Sequence, residues 1–124
     1  MAFQYEQSTG RLTRDGELIS TGYSGNGPAM NNPGMQSLQM HGPIPQGTYT
    51  IQPAITDART GPMSMHLVPS ETNNMFGRSA FLIHGDNASL DHTASDGCII
   101  MSHDVRVTVA QAVMTGDNQL TVTA

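Results

Sequence analysis

The chain has one cysteine, no tryptophan and few cations: Lys and Arg total five against ten Asp and Glu, for a net charge of −5. A single thiol forms no internal bridge, so the fold must rest on packing, and Cys98 is either buried and inert or kept for reactivity. With no basic stripe and only three Tyr and three Phe, nucleic acid is not an expected partner. No apolar run is long enough to cross a bilayer, so membrane insertion is not expected. The opening residues, Met1-Ala2-Phe3-Gln4-Tyr5-Glu6, lack the charged-then-apolar pattern of an export signal. The expectation is a protein that stays in the cytoplasm or leaves it by a route that reads no such signal; the cysteine count does not decide the compartment.

Thirteen glycines, seven prolines and 12% charged residues point away from a helical bundle and toward a β-rich domain with many turns. A length of 124 residues fits one domain over residues 1–124, with roughly two-thirds of the unfolded surface buried. Residues 3–7 alternate as a half-buried strand does. Arg11 to Arg14 and Glu17 to Tyr23 form strands around Asp15-Gly16, a strong hairpin dipeptide. Residues 24–46 are rich in Gly and Pro and predict a long ordered loop, pinned to the core by Met30, Met35, Leu38 and Met40. Strands are predicted at Gly47–Ile51, Met63–Val68, Cys98–Met101 and Gln119–Thr123. The apolar run Ala80-Phe81-Leu82-Ile83 predicts a doubly covered strand with His84 at its tip. Ser102 is placed to N-cap a helix whose buried face is Val105, Val109, Ala112 and Val113, with Gly116 just past its end.

The chemistry concentrates in Ile83-His84-Gly85-Asp86 and Ser95-Asp96-Gly97-Cys98-Ile99-Ile100. An imidazole beside a thiol can make the thiolate that attacks a carbonyl, and a glycine before the nucleophile leaves room for substrate. Adjacent strands joined by the polar segment between them would bring His84 to Cys98. Two readings stand on composition: a cysteine enzyme, or an inert buried cysteine beside a satisfied core histidine. His92 is an alternative base or an exposed loop residue. His41, His66 and His103 read as structural or surface groups. Met30, Met35, Met40, Met63, Met65 and Met75 either line a groove or fill core gaps. His84, Asp86, His92, Cys98 and His103 are metal-ligand types, but none of the usual ligand spacings occurs.

Two segments also carry a resemblance. Ile83-His84-Gly85 followed by Ser95-Asp96-Gly97-Cys98, with Gly42-Pro43-Ile44-Pro45-Gln46-Gly47-Thr48-Tyr49 upstream, resembles the L,D-transpeptidase catalytic domain. Together with Thr21 to Gly27 and Asn31-Asn32-Pro33, the similarity extends over nearly the whole chain to type VI secretion effectors bearing an L,D-transpeptidase-like domain. The resemblance implies a mainly β fold, an L,D-transpeptidase-like β-sandwich or barrel with one short helix after the nucleophile strand. It implies an antibacterial toxin acting on peptidoglycan tetrapeptide stems through a cysteine thioester. The outcome would be L,D-carboxypeptidase cleavage, or exchange of the terminal D-alanine for a free D-amino acid.

On that resemblance Cys98 is the nucleophile, His84 the base, and main-chain N–H groups at Gly97 and Cys98 hold the oxyanion. Ser95 shapes the loop or helps bind substrate, and Asp86 orients the loop or simply makes a turn. Asp96 stands where many relatives have histidine, and the His84-to-Ser95 interval, residues 85–94, is short for the family. Ile100 replaces a polar residue that helps bind substrate. Arg78 is the candidate to replace that function, or else a solvated surface charge. No metal or organic cofactor is implied. The implied partners are secretion components and a cognate immunity protein, and the implied site of action is the periplasm of the target cell. Two rivals differ in kind: a non-catalytic β-domain that binds wall fragments or a secretion component, and a metal-dependent hydrolase using the His/Asp/Cys cluster.

Overall fold

The computed structural model describes residues 2–86 and 95–124. Along the chain lie β1 (Phe3–Glu6), β2 (Arg11–Arg14), β3 (Glu17–Thr21), β4 (Tyr23–Ser24), β5 (Gly47–Ile51), β6 (Ile55–Asp57), β7 (Gly61–Pro69), β8 (Leu82–His84), β9 (Ile99–Ile100), α1 (His103–Met114) and β10 (Gln119–Thr123). Alternation sets the first wall: Phe3 and Tyr5 are buried while Gln4 between them is exposed. Asp15 and Gly16 have φ of 52° and 86°, the pair of positive values that a two-residue hairpin turn needs between β2 and β3. β1 then runs parallel to β10, with Phe3 opposite Leu120 and Tyr5 opposite Val122.

The sheet order is β3-β2-β1-β10-β5-β7-β8-β9-β4, with β6 paired to β7. Its two end strands, β3 and β4, are consecutive in the chain and separated by Gly22. That connection makes the sheet a nearly closed barrel. The closure leaves no space for a side chain at Gly22, where a Cβ would collide with the Ile100 carbonyl and the Met101 sulfur. The fold is therefore mainly β with one helix among the described residues, as the composition predicted. Among the described residues no helix is long and apolar enough to cross a membrane.

α1 packs on β7 and buries Val109, Ala110, Ala112 and Val113, with Val105 half-buried. Its C-terminus closes with Gly116 N–H on Val113 O and Asp117 N–H on Ala112 O, the paired bonds that satisfy the last carbonyls. At the N-terminus the expectation needs correction. Ser102 occupies the cap position with extended backbone, but its side chain makes no capping hydrogen bond. The Ser102 carbonyl instead accepts from the Arg106 N–H and, at 3.4 Å, from Arg106 Nε.

Three further expectations change. β7 is longer than the predicted Met63–Val68, and β6 was not foreseen because Ile55 and Thr56 are both exposed, which removes the alternation that marks a half-buried strand. Residues 24–46 hold two short 3₁₀ turns, Gly27–Ala29 and Pro33–Met35. Each has proline in its first turn, where the missing N–H costs nothing. Of the four apolar side chains predicted to pin this loop, Met40 is 65% exposed and Leu38 43%, while Met30 and Met35 are half-buried. Ile44, Ala29, Pro43 and Pro45 are buried instead. The buried Gln7 side chain also holds the loop, donating to Ile44 O at 2.8 Å.

Candidate functional site

β8 and β9 are neighbouring parallel strands, with Ile83 opposite Ile99 and His84 opposite Ile100. Parallel pairing puts the tip of β8, His84, and the residue entering β9, Cys98, at the same cleft, whose volume is about 450 Å³. Three kinds of element wall it. Gln39 and Met40 come from the long loop, Arg59 and Thr60 from the β6–β7 hairpin, and residues 78–82 from the approach to β8. A second hollow, of about 640 Å³, is lined by Tyr23, Asp86, His103 and Arg106 among others and contains neither Cys98 nor His84. Asp86 borders both hollows, and its carboxylate accepts from the Tyr23 hydroxyl at 2.7 Å.

The His84 ring is buried, and its Nδ1 lies 2.8 Å from the Gly85 carbonyl. A carbonyl only accepts, so Nδ1 carries the proton and Nε2 of the neutral ring keeps a free lone pair. Burial holds the imidazole below its ordinary pKa of 6.5. The Gly85 carbonyl opposes that shift, and the Arg106 charge adds to it. Burial likewise pushes the Cys98 thiol above its ordinary 9.0. The Leu82 N–H, 3.3 Å from Sγ, works against this rise, the Asp96 charge adds to it, and Arg59 and Arg78 oppose it. The resting pair at neutral pH is thus a thiol and a neutral imidazole.

The turn into Cys98 is held by buried polar groups. Ser95 Oγ donates to Cys98 O at 2.6 Å and accepts from Gly25 N–H at 2.9 Å and Gly97 N–H at 3.1 Å. Ser24 Oγ donates to Gly97 O at 2.7 Å and accepts from Ile44 N–H at 2.8 Å. Gly97 has φ of 133°, and a Cβ there would run into Arg78 and Phe81. No other residue fits that combination of backbone and space.

Arg78 is not the solvated surface charge of one sequence reading: it is 6% exposed. Nη1 donates to the carbonyls of Gln36 and Pro43, and Nη2 to those of Gly42 and Asp96, all within 3.1 Å. The guanidinium also lies 5.1 Å from the centre of the Phe81 ring. It therefore fastens the long loop to the cysteine turn. Four of its five N–H donors are committed to main-chain carbonyls.

Of the predicted site residues, the cleft collects Cys98, His84, Asp86 and Arg78. Ser95 lies fully buried behind the turn, and the Gly97 N–H is taken by Ser95 Oγ. His92 lies outside the described residues. His66 and His103 are exposed, and His41 pairs through Nδ1 with Asn26 Oδ1 at 2.7 Å. Among the described residues, no three His, Cys, Asp or Glu side chains gather as ligands of one ion would. The methionines divide: Met65 is core, Met63 and Met75 pack against it, and Met40 lines the cleft.

Sequence reasoning missed two residues. Arg106, on the buried side of α1, abuts Gly85 and donates to Met101 O at 3.2 Å and Pro62 O at 2.7 Å. Arg59 sits exposed on the β6–β7 hairpin at the mouth of the cleft. A charge on a helix reads as solvated face, and a charge in a turn carries no periodic signal, so neither was marked.

A barrel that presents a thiol and a neutral imidazole from adjoining parallel strands into one open cleft defines the class of site. The Tlde1 domain matches residues 19–124, and the chain belongs to that family, a family of type VI secretion effectors. Among solved structures the fold is similar to that of Bd1075 from Bdellovibrio bacteriovorus. The TM-score is 0.61 and the identity 17%, over 97% of this chain and 46% of that one. The chain thus spans about half the length of that protein, and at this identity the likeness speaks for the fold alone. Among curated proteins none matches the chain.

Proposed function

We propose that Cys98 and His84 form the catalytic pair of a peptidoglycan L,D-carboxypeptidase or D-amino-acid exchange toxin. The observation that carries this reading is their shared cleft, with His84 Nδ1 tied to the Gly85 carbonyl and Nε2 left as the base. Type VI effector membership supports a toxin with a cognate immunity protein and secretion machinery as partners.

The proposed reaction begins from a neutral pair. As Sγ attacks the carbonyl of the third residue of a tetrapeptide stem, Nε2 takes the thiol proton, so charge separates only when the substrate is in place. Of the two expected oxyanion donors the Gly97 N–H is committed to Ser95, which leaves the Cys98 N–H to face the developing negative charge. The imidazolium then gives its proton to the amine of D-alanine as the C–N bond breaks, leaving a thioester on Cys98. Attack by water regenerates the thiol and gives a tripeptide. Attack by the amine of a free D-amino acid gives an exchanged stem. Either product deprives the target's wall of its ordinary cross-linking donor, and the site of action is the target periplasm. An immunity protein that covers the cleft would silence the enzyme.

Mass spectrometry of tetrapeptide muropeptides, incubated with wild type and Cys98→Ala, with and without D-amino acids, tests the reading. The wild type should shorten the stems, or change their last residue when D-amino acids are present, and the variant should do neither. Unaltered muropeptides with the wild type would overturn it.

A further inference from the structure

Five residues supply all the Lys and Arg charge of the chain, and every one is an arginine. Arg14 pairs with Asp117 at 2.7 Å, and Arg11 lies in β2 on the wall away from the cleft. Arg106 and Arg78 are buried and bonded to main-chain carbonyls. Arg59 differs from all of these. It is exposed, lines the cleft that holds Cys98, and its guanidinium has no ion pair with a described residue.

Its position is built rather than accidental. Asp57 Oδ1 accepts the N–H of Arg59 at 2.8 Å and that of Thr60 at 3.2 Å, an Asx turn that sets the hairpin tip. The bonds from these main-chain groups come first among the causes that hold the Asp57 carboxyl below its usual range. Thr60 Oγ1 lies 2.7 Å from Ser64 Oγ, which ties the tip to β7. The Arg59 charge is felt by Asp57, but among the described residues no acidic group forms an ion pair with it. Asp57 Oδ1 is taken by its own turn, with Oδ2 3.9 Å from His66, Asp86 accepts from Tyr23, and Asp96 is exposed with no ion pair among the described residues. An exposed guanidinium in the same cleft as Cys98, where the other arginine is already committed to carbonyls, has the chemistry of an anion subsite.

We propose that Arg59 receives the carboxylate next to the bond that Cys98 attacks, the free α-carboxylate of the stem's terminal D-amino acid. The inference rests on the proposed reaction for the identity of the carboxylate, and on the geometry alone for the anion subsite. In the forward step Arg59 holds the leaving D-alanine. In exchange the same group positions the incoming D-amino acid, whose carboxylate occupies the same place relative to the thioester. Arg59 thereby selects stems that end in a free carboxylate.

The lone cysteine permits a test that needs no turnover. Iodoacetate and iodoacetamide alkylate the same sulfur but differ in charge, so the ratio of their rates cancels the thiolate fraction and reports the local field on an anion. Intact-mass measurement should show that ratio falling at least ~5-fold in Arg59→Ala and in Arg59→Gln, and largely kept in Arg59→Lys. Added salt should lower the wild-type ratio toward that of the neutral variants. A ratio unchanged in both neutral variants overturns the anion subsite. With stems as substrate, Arg59→Ala should raise KM at least ~10-fold for the free acid and leave KM for the terminal amide unchanged. Equal effects on acid and amide overturn the assignment to that carboxylate. If wild type turns over neither stem, the proposed reaction fails, while the alkylation ratio still decides whether Arg59 attracts anions to Cys98.

Discussion

The wall made of β1, β2, β10 and β5 and the wall that carries Cys98 share one apolar core but are fastened differently. The first is regular sheet, and its inward residues, Phe3, Tyr5, Leu12, Tyr49, Leu120 and Val122, supply one side of the apolar core. The second consists of short strands and irregular backbone; Phe81, Ile83, Ile99 and Met101 join the same apolar core, and buried polar contacts fasten its loops in addition: Arg78 on four carbonyls, and Ser95 and Ser24 bridging loop to turn. Apolar packing is forgiving of exact placement. Hydrogen bonds to fixed carbonyls are not, and each costs free energy if left unmade. Cys98 sits on the wall whose polar contacts specify atomic positions.

The largest expected effect separates chemistry from scaffold. Cys98→Ser should abolish stem processing while leaving the denaturation midpoint close to wild type, because serine still offers an acceptor to the Leu82 N–H. His84→Ala should lower the rate by about 10²–10⁴-fold. Steady-state kinetics together with urea unfolding would check both. A Cys98→Ser variant that unfolds early would mean that the thiol is part of the packing, and the division between the walls would fail.

Arg78→Met should come next, on stability as well as activity. It keeps much of the side-chain volume but strips donors from the carbonyls of Gln36, Gly42, Pro43 and Asp96. Each buried carbonyl left without its donor costs about 1–3 kcal/mol. If Arg78→Met matched wild type in chemical denaturation, the irregular wall would not depend on its polar contacts. Ser95→Ala tests the same contrast more gently. It leaves two buried N–H groups, of Gly25 and Gly97, without their acceptor, at a cost of about 2–6 kcal/mol in all.

This division also explains what could be read from the sequence. The regular wall was legible because its strands alternate and Asp15-Gly16 marks its hairpin. His84 and Cys98 were legible as residue types at the ends of apolar runs, and parallel pairing of β8 with β9 puts both at one cleft. The fasteners were not. Nothing local says that Arg78 meets Gln36 and Pro43 across the chain, or that Arg106 turns its charge inward from α1, because carbonyl acceptors carry no sequence signature. Met40 and Leu38 were expected to anchor the long loop on hydrophobicity alone, and polar fastening left them exposed.

The site should also leave a mark on stability against pH. His84 is held below its ordinary pKa when folded, so the unfolded chain binds the extra proton and stability rises with pH through that range. Its contribution is therefore present above the ordinary imidazole pKa of 6.5 and is lost as pH falls through 6.5 toward the lowered folded value. Cys98 has the opposite sign: its raised folded pKa makes stability fall as pH climbs past 9.0. Urea midpoints measured from about pH 7 down to about pH 5 should drop less in His84→Asn than in wild type. Equal slopes would mean that the ring is solvated when folded.

The smallest effect contrasts two hydroxyls of the regular wall, one of which reaches the long loop. Tyr5 and Tyr49 both lie in the regular sheet, and burial raises the pKa of both phenols. The Tyr49 hydroxyl reaches out of the sheet to Pro45 O at 2.7 Å, in the long loop, with Met75 Sδ at 3.4 Å. The Tyr5 hydroxyl is buried in the apolar core with no hydrogen-bond partner among the described residues. Removing a hydroxyl that makes a buried bond costs about 1 kcal/mol and orphans its acceptor, while removing an unpaired one relieves a desolvation penalty. Tyr49→Phe should therefore lower the urea midpoint, and Tyr5→Phe should leave it unchanged or raise it slightly. A Tyr5→Phe loss as large as that of Tyr49→Phe would show that the regular wall, too, depends on a polar contact, and that the two walls differ in geometry rather than in what holds them.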